Sequence, residues 1–141
     1  MERKLEYRKK SIRSYVVRSG RITESQRRAF EAHWPFFGLE LGSGELDIES
    51  IFGSSASVVV EIGFGMGDSL LKMAQASPHQ QFLGIEVYPP GVGSIMKRAY
   101  DARLKNLRVY LADANDVIEE CIGENTIDRI QLFFPDPWHK K

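Results

Sequence analysis

From residue 57 onward the chain alternates short apolar runs with amphipathic stretches, and each apolar run ends at or beside an acid. The first run, Val58-Val59-Val60-Glu61-Ile62, is β-branched and is stopped by glycines. A helix is predicted over 68–76, with Leu70, Leu71 and Met73/Ala74 facing inward. A second strand is expected over 81–87. The helix after it starts at Pro89/Pro90 and reaches about Leu104, with Val92, Ile95, Met96 and Ala99 at helical spacing. A third strand follows over 107–111, a short helix over 115–122, and a fourth strand over 127–134, whose Ile130-Gln131-Leu132-Phe133-Phe134 reads as buried. Regular alternation with short connections specifies an α/β fold with a parallel sheet and right-handed crossovers. Such sheets bind ligands at the carboxyl ends of their strands.

The 141 residues make one domain, small for a complete α/β enzyme. No apolar run approaches the roughly 20 residues that span a bilayer, and the basic N-terminus lacks the apolar core of a signal peptide. A membrane role is therefore not expected. The single Cys121 excludes an intramolecular disulfide and a cysteine zinc site, and a reducing cytoplasm is the simplest compartment. His33, His79 and His139 show no metal-ligand spacing, so no metal is expected. Net charge is zero but uneven: residues 1–28 hold ten Lys/Arg and three acids, a balance of +7, so the remaining residues carry −7. A basic arm on an acidic body suits a polyanionic partner as well as it suits a solubilising tail.

Three segments follow. Residues 1–22 read as a basic, flexible arm. Residues 23–56 read as a capping helix and a linker. Thr23-Glu24-Ser25-Gln26 has capping-box spacing and opens a helix carrying Ala29, Phe30 and Trp34, which Pro35 ends or redirects. Residues 38–56, rich in Gly, Ser and acids, form the linker. Residues 57–141 hold the alternating pattern. Phe30, Trp34, Phe36 and Phe37 read as a packed cap, and Cys121, sharing a face with Val117, Ile118 and Ile122, as a core thiol.

The strand ends carry the chemistry. Strand one runs into Glu61-Ile62-Gly63-Phe64-Gly65-Met66-Gly67-Asp68, with glycines at every second position. Gly63, Gly65 and Gly67 allow close backbone approach and a tight turn into a helix N-terminus. Glu61, just before them, disfavours a pyrophosphate and suits a ligand bearing an ammonium or sulfonium group. Glu86 ends strand two, where an acid can accept bonds from ribose hydroxyls. Asp113 after strand three can accept from an adenine amino group, with the Ala114 backbone as a second contact. Asp136 closes strand four. Four acids at four successive strand ends describe a nucleoside that is cationic near its sugar: S-adenosyl-L-methionine.

Val60-Glu61-Ile62-Gly63-Phe64-Gly65-Met66-Gly67, Phe82-Leu83-Gly84-Ile85-Glu86-Val87, Pro90-Gly91-Val92-Gly93 and above all Gln131-Leu132-Phe133-Phe134-Pro135-Asp136-Pro137-Trp138-His139-Lys140 resemble the tRNA (guanine-N7)-methyltransferase family. This family lies within the class I methyltransferases and their Rossmann-like fold. Arg18-Ser19-Gly20-Arg21-Ile22-Thr23 and His33-Trp34-Pro35 resemble its entry segment. The resemblance implies methyl transfer from S-adenosyl-L-methionine to guanine N7 in the tRNA variable loop. It implies that Glu61, Glu86, Asp113 and Asp136 contact the cofactor, that Asp136 is also the catalytic acid, and that Lys140 touches the substrate. The family continues past Lys141 with further strands. The strands here, counted one to four, would lie in the order 3-2-1-4 without the sheet's other half, and little activity is expected of the chain by itself.

Guanine N7 carries an in-plane lone pair and no proton, so no general base is needed. A fixed carboxylate beside the ring can stabilise the charge that develops there, which suits Asp136 between Pro135 and Pro137. Lys140 and Lys141 can neutralise phosphate. Methylation of an exocyclic amino group is a weaker reading, because Asp136-Pro137-Trp138 lacks the second proline of that motif. A non-catalytic cofactor- or tRNA-binding fragment is the third. Monomer and homodimer both remain open.

Overall fold

The computed structural model describes residues 23–132. The arm over 1–22 and the strand tip over 133–141, with Asp136 and Lys140, lie outside the described residues. Helix α1 (Glu24–Phe37) leads into strand β1 (Gly38–Leu39) and helix α2 (Ile48–Phe52). Then come β2 (Val58–Ile62), α3 (Asp68–Ala76), β3 (Gln81–Glu86), α4 (Pro89–Asp101), β4 (Leu107–Leu111), α5 (Ala114–Cys121) and β5 (Arg129–Leu132). The five strands form one sheet in the order β1-β4-β3-β2-β5. Every pairing is parallel. Counting only the strands expected from sequence, this is the order 3-2-1-4.

Both sheet faces are covered, so the central strands are apolar on both sides rather than alternating with polar residues. Val59, Phe82, Leu107 and Val109 face one layer, with Phe30, Trp34 and Phe37 of α1, Leu70 and Ala74 of α3, and Val92, Ile95, Met96 and Ala99 of α4. Val58, Val60, Leu83, Ile85 and Tyr110 face the other, with Val117 and Cys121 of α5 and with Ile48, Ile51 and Phe52 of α2 at its margin. Cys121 is thus a core thiol, and burial pushes its pKa up. Ile118, expected on that face, is exposed instead.

The capping box of α1 is present: Gln26 N–H donates to Thr23 Oγ1 at 3.1 Å and Thr23 N–H donates to Gln26 Oε1 at 3.0 Å. Pro35 does not end this helix, which runs on to Phe37. Proline costs the helix one backbone bond. Here Trp34 and Phe37 on either side of it are buried in the core, Trp34 Nε1–H donates to Glu40 Oε1 at 2.9 Å, and Gly38 N–H closes on the Trp34 carbonyl. Gly38 is required at this corner, since a Cβ there would fall 2.0 Å from the Trp34 ring.

The segment read as a linker is structured. β1 adds an edge strand beside β4, and α2 is capped by Asp47, whose Oδ1 accepts from Ser50 N–H, and ended by left-handed Gly53. Phe36, expected in the packed cap, is 50% exposed, with the Arg108 guanidinium 4.1 Å above its ring. The fourth expected strand is not buried. Ile130 and Leu132 are 52% and 53% exposed, because β5 is an edge strand with no neighbour beyond it among the described residues.

Asn106 joins three parts of the fold. Its Nδ2 donates to the carbonyls of Ala74, Ser77 and Gln80, at 3.0, 3.1 and 3.0 Å, and its own carbonyl accepts from Phe82 N–H at 2.8 Å. The amide thereby closes the C-terminus of α3 and the turn into β3. Asn106→Ala should destabilise the chain by about 1–3 kcal/mol, the cost of leaving partly buried acceptors without a donor. This is read as a lower urea midpoint at unchanged slope; an unchanged midpoint would mean that water replaces the amide.

Candidate functional site

The parallel strands bring their carboxyl ends to one edge of the sheet, and the loop after β2 dominates it. Gly63, Gly65 and Gly67 all have left-handed φ, at 71°, 63° and 86°. An L side chain at such an angle is strained, so the alternate glycines are a backbone requirement. Phe64, buried between them, anchors the loop in the core, while Met66 is exposed. Gly63 N–H donates to the Ile85 carbonyl at 2.7 Å, and Gly67 caps α3 without a side chain. Gly67 also abuts α4, where an added Cβ would fall 2.6 Å from Ile95 Cδ1.

Glu86, at the tip of β3, turns into this loop. Its Oε1 accepts from Gly65 N–H at 2.7 Å, and its Oε2 accepts from Val87 N–H at 2.8 Å and Tyr88 N–H at 2.9 Å. An ionised carboxylate has about four acceptor positions, so three are taken by backbone and about one is left for a ligand hydroxyl. Arg98 of α4 clasps the loop from outside, donating from Nη1 to Asp68 Oδ1 at 2.6 Å and from Nη2 to the Met66 carbonyl. The first turn of α4 lies so close that a Cβ on Gly91 would fall 1.9 Å from the Gly65 carbonyl oxygen.

Glu61 is only 3% exposed. Its Oε1 accepts from Gln131 Nε2–H at 3.1 Å, while Oε2 is buried with no hydrogen-bond partner among the described residues. Burial raises its pKa, and the bond from Gln131 partly offsets this. Asp113 is exposed and caps α5, accepting from Asn115 N–H at 2.8 Å; Ala114 follows as the first residue of that helix. Ala112 N–H donates to the Glu86 carbonyl at 3.0 Å, which ties the tip of β4 to that of β3. The structure thus gathers Glu61, the glycine turn, Glu86, Asp113 and Ala114 on one edge. Asp136 and Lys140 lie outside the described residues. Sequence reasoning passed over Gln131, Arg98 and the individual role of Gly91. Only Gln131 carried a signal, as a polar residue between apolar Ile130 and Leu132, facing the side of the sheet that Glu61 faces.

A parallel sheet in this order, helices on both faces and a glycine turn at the end of β2 make a Rossmann-like α/β fold. A solved structure titled "Structure of an antibiotic related Methyltransferase" shares the fold, with a TM-score of 0.52 at 20% identity over 72% of this chain and 54% of that one. The model of a family described as "Putative methyltransferase" matches residues 55–141, and the chain belongs to that family. Among curated relatives, the tRNA (guanine-N(7)-)-methyltransferase of Saccharophagus degradans is 57% identical over 136 residues, which cover 96% of this chain and 59% of that protein. Its namesake from Shewanella frigidimarina is 52% identical over 132 residues, covering 94% and 56%. The chain spans somewhat more than half the length of these relatives.

The close approach of α4 to the glycine turn gives a test within one helix. Gly91→Ala should destabilise the fold by about 1–3 kcal/mol, because the atom it meets is backbone and the loop must move. Gly93→Ala, whose Cβ would meet the Phe30 ring at 3.3 Å and the Gln26 carbonyl oxygen at 3.7 Å, should cost clearly less. Thermal or urea unfolding of both variants checks this; equal stabilities would mean that the turn is not held against α4.

Proposed function

We propose that the chain contributes the cofactor-binding part of an enzyme that methylates N7 of a guanine in tRNA, using S-adenosyl-L-methionine. The observation that carries the reading is the orphaned Oε2 of Glu61, a buried carboxylate oxygen beside a glycine turn, in a chain of this methyltransferase family. The names of the relatives supply the substrate.

The residues present fit the cofactor. Glu61 offers Oε2 to an ammonium group, Glu86 offers its remaining acceptor position to a ribose hydroxyl, and Asp113 with the Ala114 backbone suits an adenine edge. Gly63, Gly65 and Gly67 present backbone without side chains, so a ligand can approach the turn closely. When bound, S-adenosyl-L-methionine supplies an electrophilic methyl group on a sulfonium centre. Guanine N7 has no proton to lose, so the chain needs no general base. Asp136 stabilises the positive charge that builds on the purine and accepts from its N1–H and N2–H edge. Pro135 and Pro137 restrict the backbone on either side of it. Lys140 touches the substrate, and the +7 charge of residues 1–28 adds phosphate contacts that favour tRNA without reading its bases. Residues 57–141 serve as the methyl-transfer unit and residues 1–22 as a basic arm, with the cytoplasm as the site of action.

Unmodified tRNA is incubated with labelled cofactor and protein in excess, so that slow transfer is still read, and its nucleosides are then separated. Label in 7-methylguanosine is the expected result. Label in a base methylated on an exocyclic amine moves the function to that class. Absence of label, with S-adenosylhomocysteine still bound, makes the chain a binding unit only.

Asp136→Asn separates electrostatics from proton abstraction. In a full-length context it should slow single-turnover transfer roughly a hundredfold, by analogy with loss of a preorganised electrostatic partner. The loss should hold at every pH, with no alkaline limb that the variant alone lacks. A wild-type rate that rises through a pKa absent from the variant would instead make Asp136 a base.

A further inference from the structure

Glu61 and Gln131 face each other across neighbouring parallel strands, as register partners of β2 and β5. Gln131 Nε2 is held at two points, donating to Glu61 Oε1 at 3.1 Å and to Met73 Sδ of α3 at 3.1 Å. A carboxylate with one oxygen tethered cannot turn freely, so the tether decides which oxygen is presented. We propose that Gln131 is a positioning residue, which fixes the Glu61 carboxylate by its Oε1 and leaves Oε2 as the sole acceptor for the ammonium group of the bound amino-acid moiety. The inference rests on the cofactor reading above and deepens it: Gln131 touches no ligand and acts only through Glu61.

Among the described residues, the strand neighbours of Glu61 carry no charge. On β3 its neighbour is Gly84, on β5 it is Gln131, and α3 supplies Met73 through the glutamine. Burial and the Gln131 bond are the causes of its perturbed titration, burial raising the pKa and the bond lowering it. Only the ionised carboxylate holds an ammonium group, so affinity falls as pH drops through the Glu61 pKa. Loss of the Gln131 bond raises that pKa further, and the acid-side loss of affinity then begins at higher pH.

Two probes test the proposal on the 141-residue chain by titration calorimetry between about pH 5.5 and pH 8.5. S-adenosylhomocysteine carries the ammonium group; 5′-methylthioadenosine has the same nucleoside without the amino-acid part. Gln131→Met keeps length and removes the donor. It should weaken S-adenosylhomocysteine roughly tenfold near neutrality, the lower end of what a hydrogen bond to a charged group contributes. Its acid-side loss should move to higher pH, while 5′-methylthioadenosine binds as to wild type. Equal weakening of both probes would reduce Gln131 to packing and overturn the proposal, as would an unchanged pH profile for S-adenosylhomocysteine. A wild-type chain that binds neither probe would overturn the cofactor reading itself, and the role of Gln131 with it.

Discussion

The carboxylate of Glu86 ties the site edge together. Three backbone N–H groups from two segments, Gly65 on one side and Val87 and Tyr88 on the other, converge on it at 2.7 to 2.9 Å. Hydrogen bonds to an ionised acceptor are roughly twice as strong as neutral ones, so this cluster outweighs the usual loop contacts. It also explains the glycine spacing. The chain must reverse sharply enough after β2 for Gly65 N–H to face back towards β3, and the left-handed angles of Gly63, Gly65 and Gly67 make that reversal. A side chain at each of these positions would add about 1–2 kcal/mol of backbone strain. Once the turn is closed, α4 packs its own glycine onto the Gly65 carbonyl and Arg98 clasps the outside. The acid, the glycines and the first turn of α4 are therefore one mechanical unit.

Most of the architecture was legible because strand and helix periods differ and both faces of the sheet are buried. Val58–Ile62 and Leu107–Leu111 appear where the apolar runs place them, and the four expected strands lie in the expected order. Helix ends were less legible. α4 stops at Asp101 rather than near Leu104, where the chain turns through left-handed Arg103 and Leu104 N–H returns to the Ala99 carbonyl. Nothing in local composition marks arginine as a left-handed residue. The capping box of α1 was readable since it is a local reciprocal bond, whereas the passage of the helix through Pro35 depends on the distant core that buries Trp34 and Phe37.

The segment over 38–56 was misread for a related reason. Its Gly, Ser and acid content suggests a connector, and two residues of β1 are too few to show alternation. What orders it is tertiary. Arg108 of β4 is nearly buried and donates to the carbonyls of Lys105, Leu107 and Ile51, while its guanidinium lies over Phe36 and near Phe52. Burial lowers its pKa to about 10, which leaves it charged at neutral pH. One arginine thus links α1, α2 and β4, a role no reading of spacing could assign. In the site, the acids at strand ends were legible as a repeated position, but their inequality was not, because it depends on which backbone donors each carboxylate meets.

That inequality bears on what the edge can bind. Glu86 meets three backbone donors of the turn, which leaves about one acceptor position open. Glu61 is more deeply buried and, among the described residues, keeps one bond and has an oxygen with no donor. An unpartnered acceptor in the interior costs on the order of 1–3 kcal/mol, and more when charged. Burial disfavours the ionised form of such a group and a cation beside it favours that form; the raised pKa of Glu61 expresses the first of these effects. A ligand that brings an ammonium group recovers the cost on binding. An anionic ligand at the same place would add repulsion to an uncompensated charge. The glycine turn alone would serve a pyrophosphate equally well, since its backbone N–H groups favour negative charge. A buried acid beneath such a turn opposes that preference, because its charge repels an anion and favours a cation.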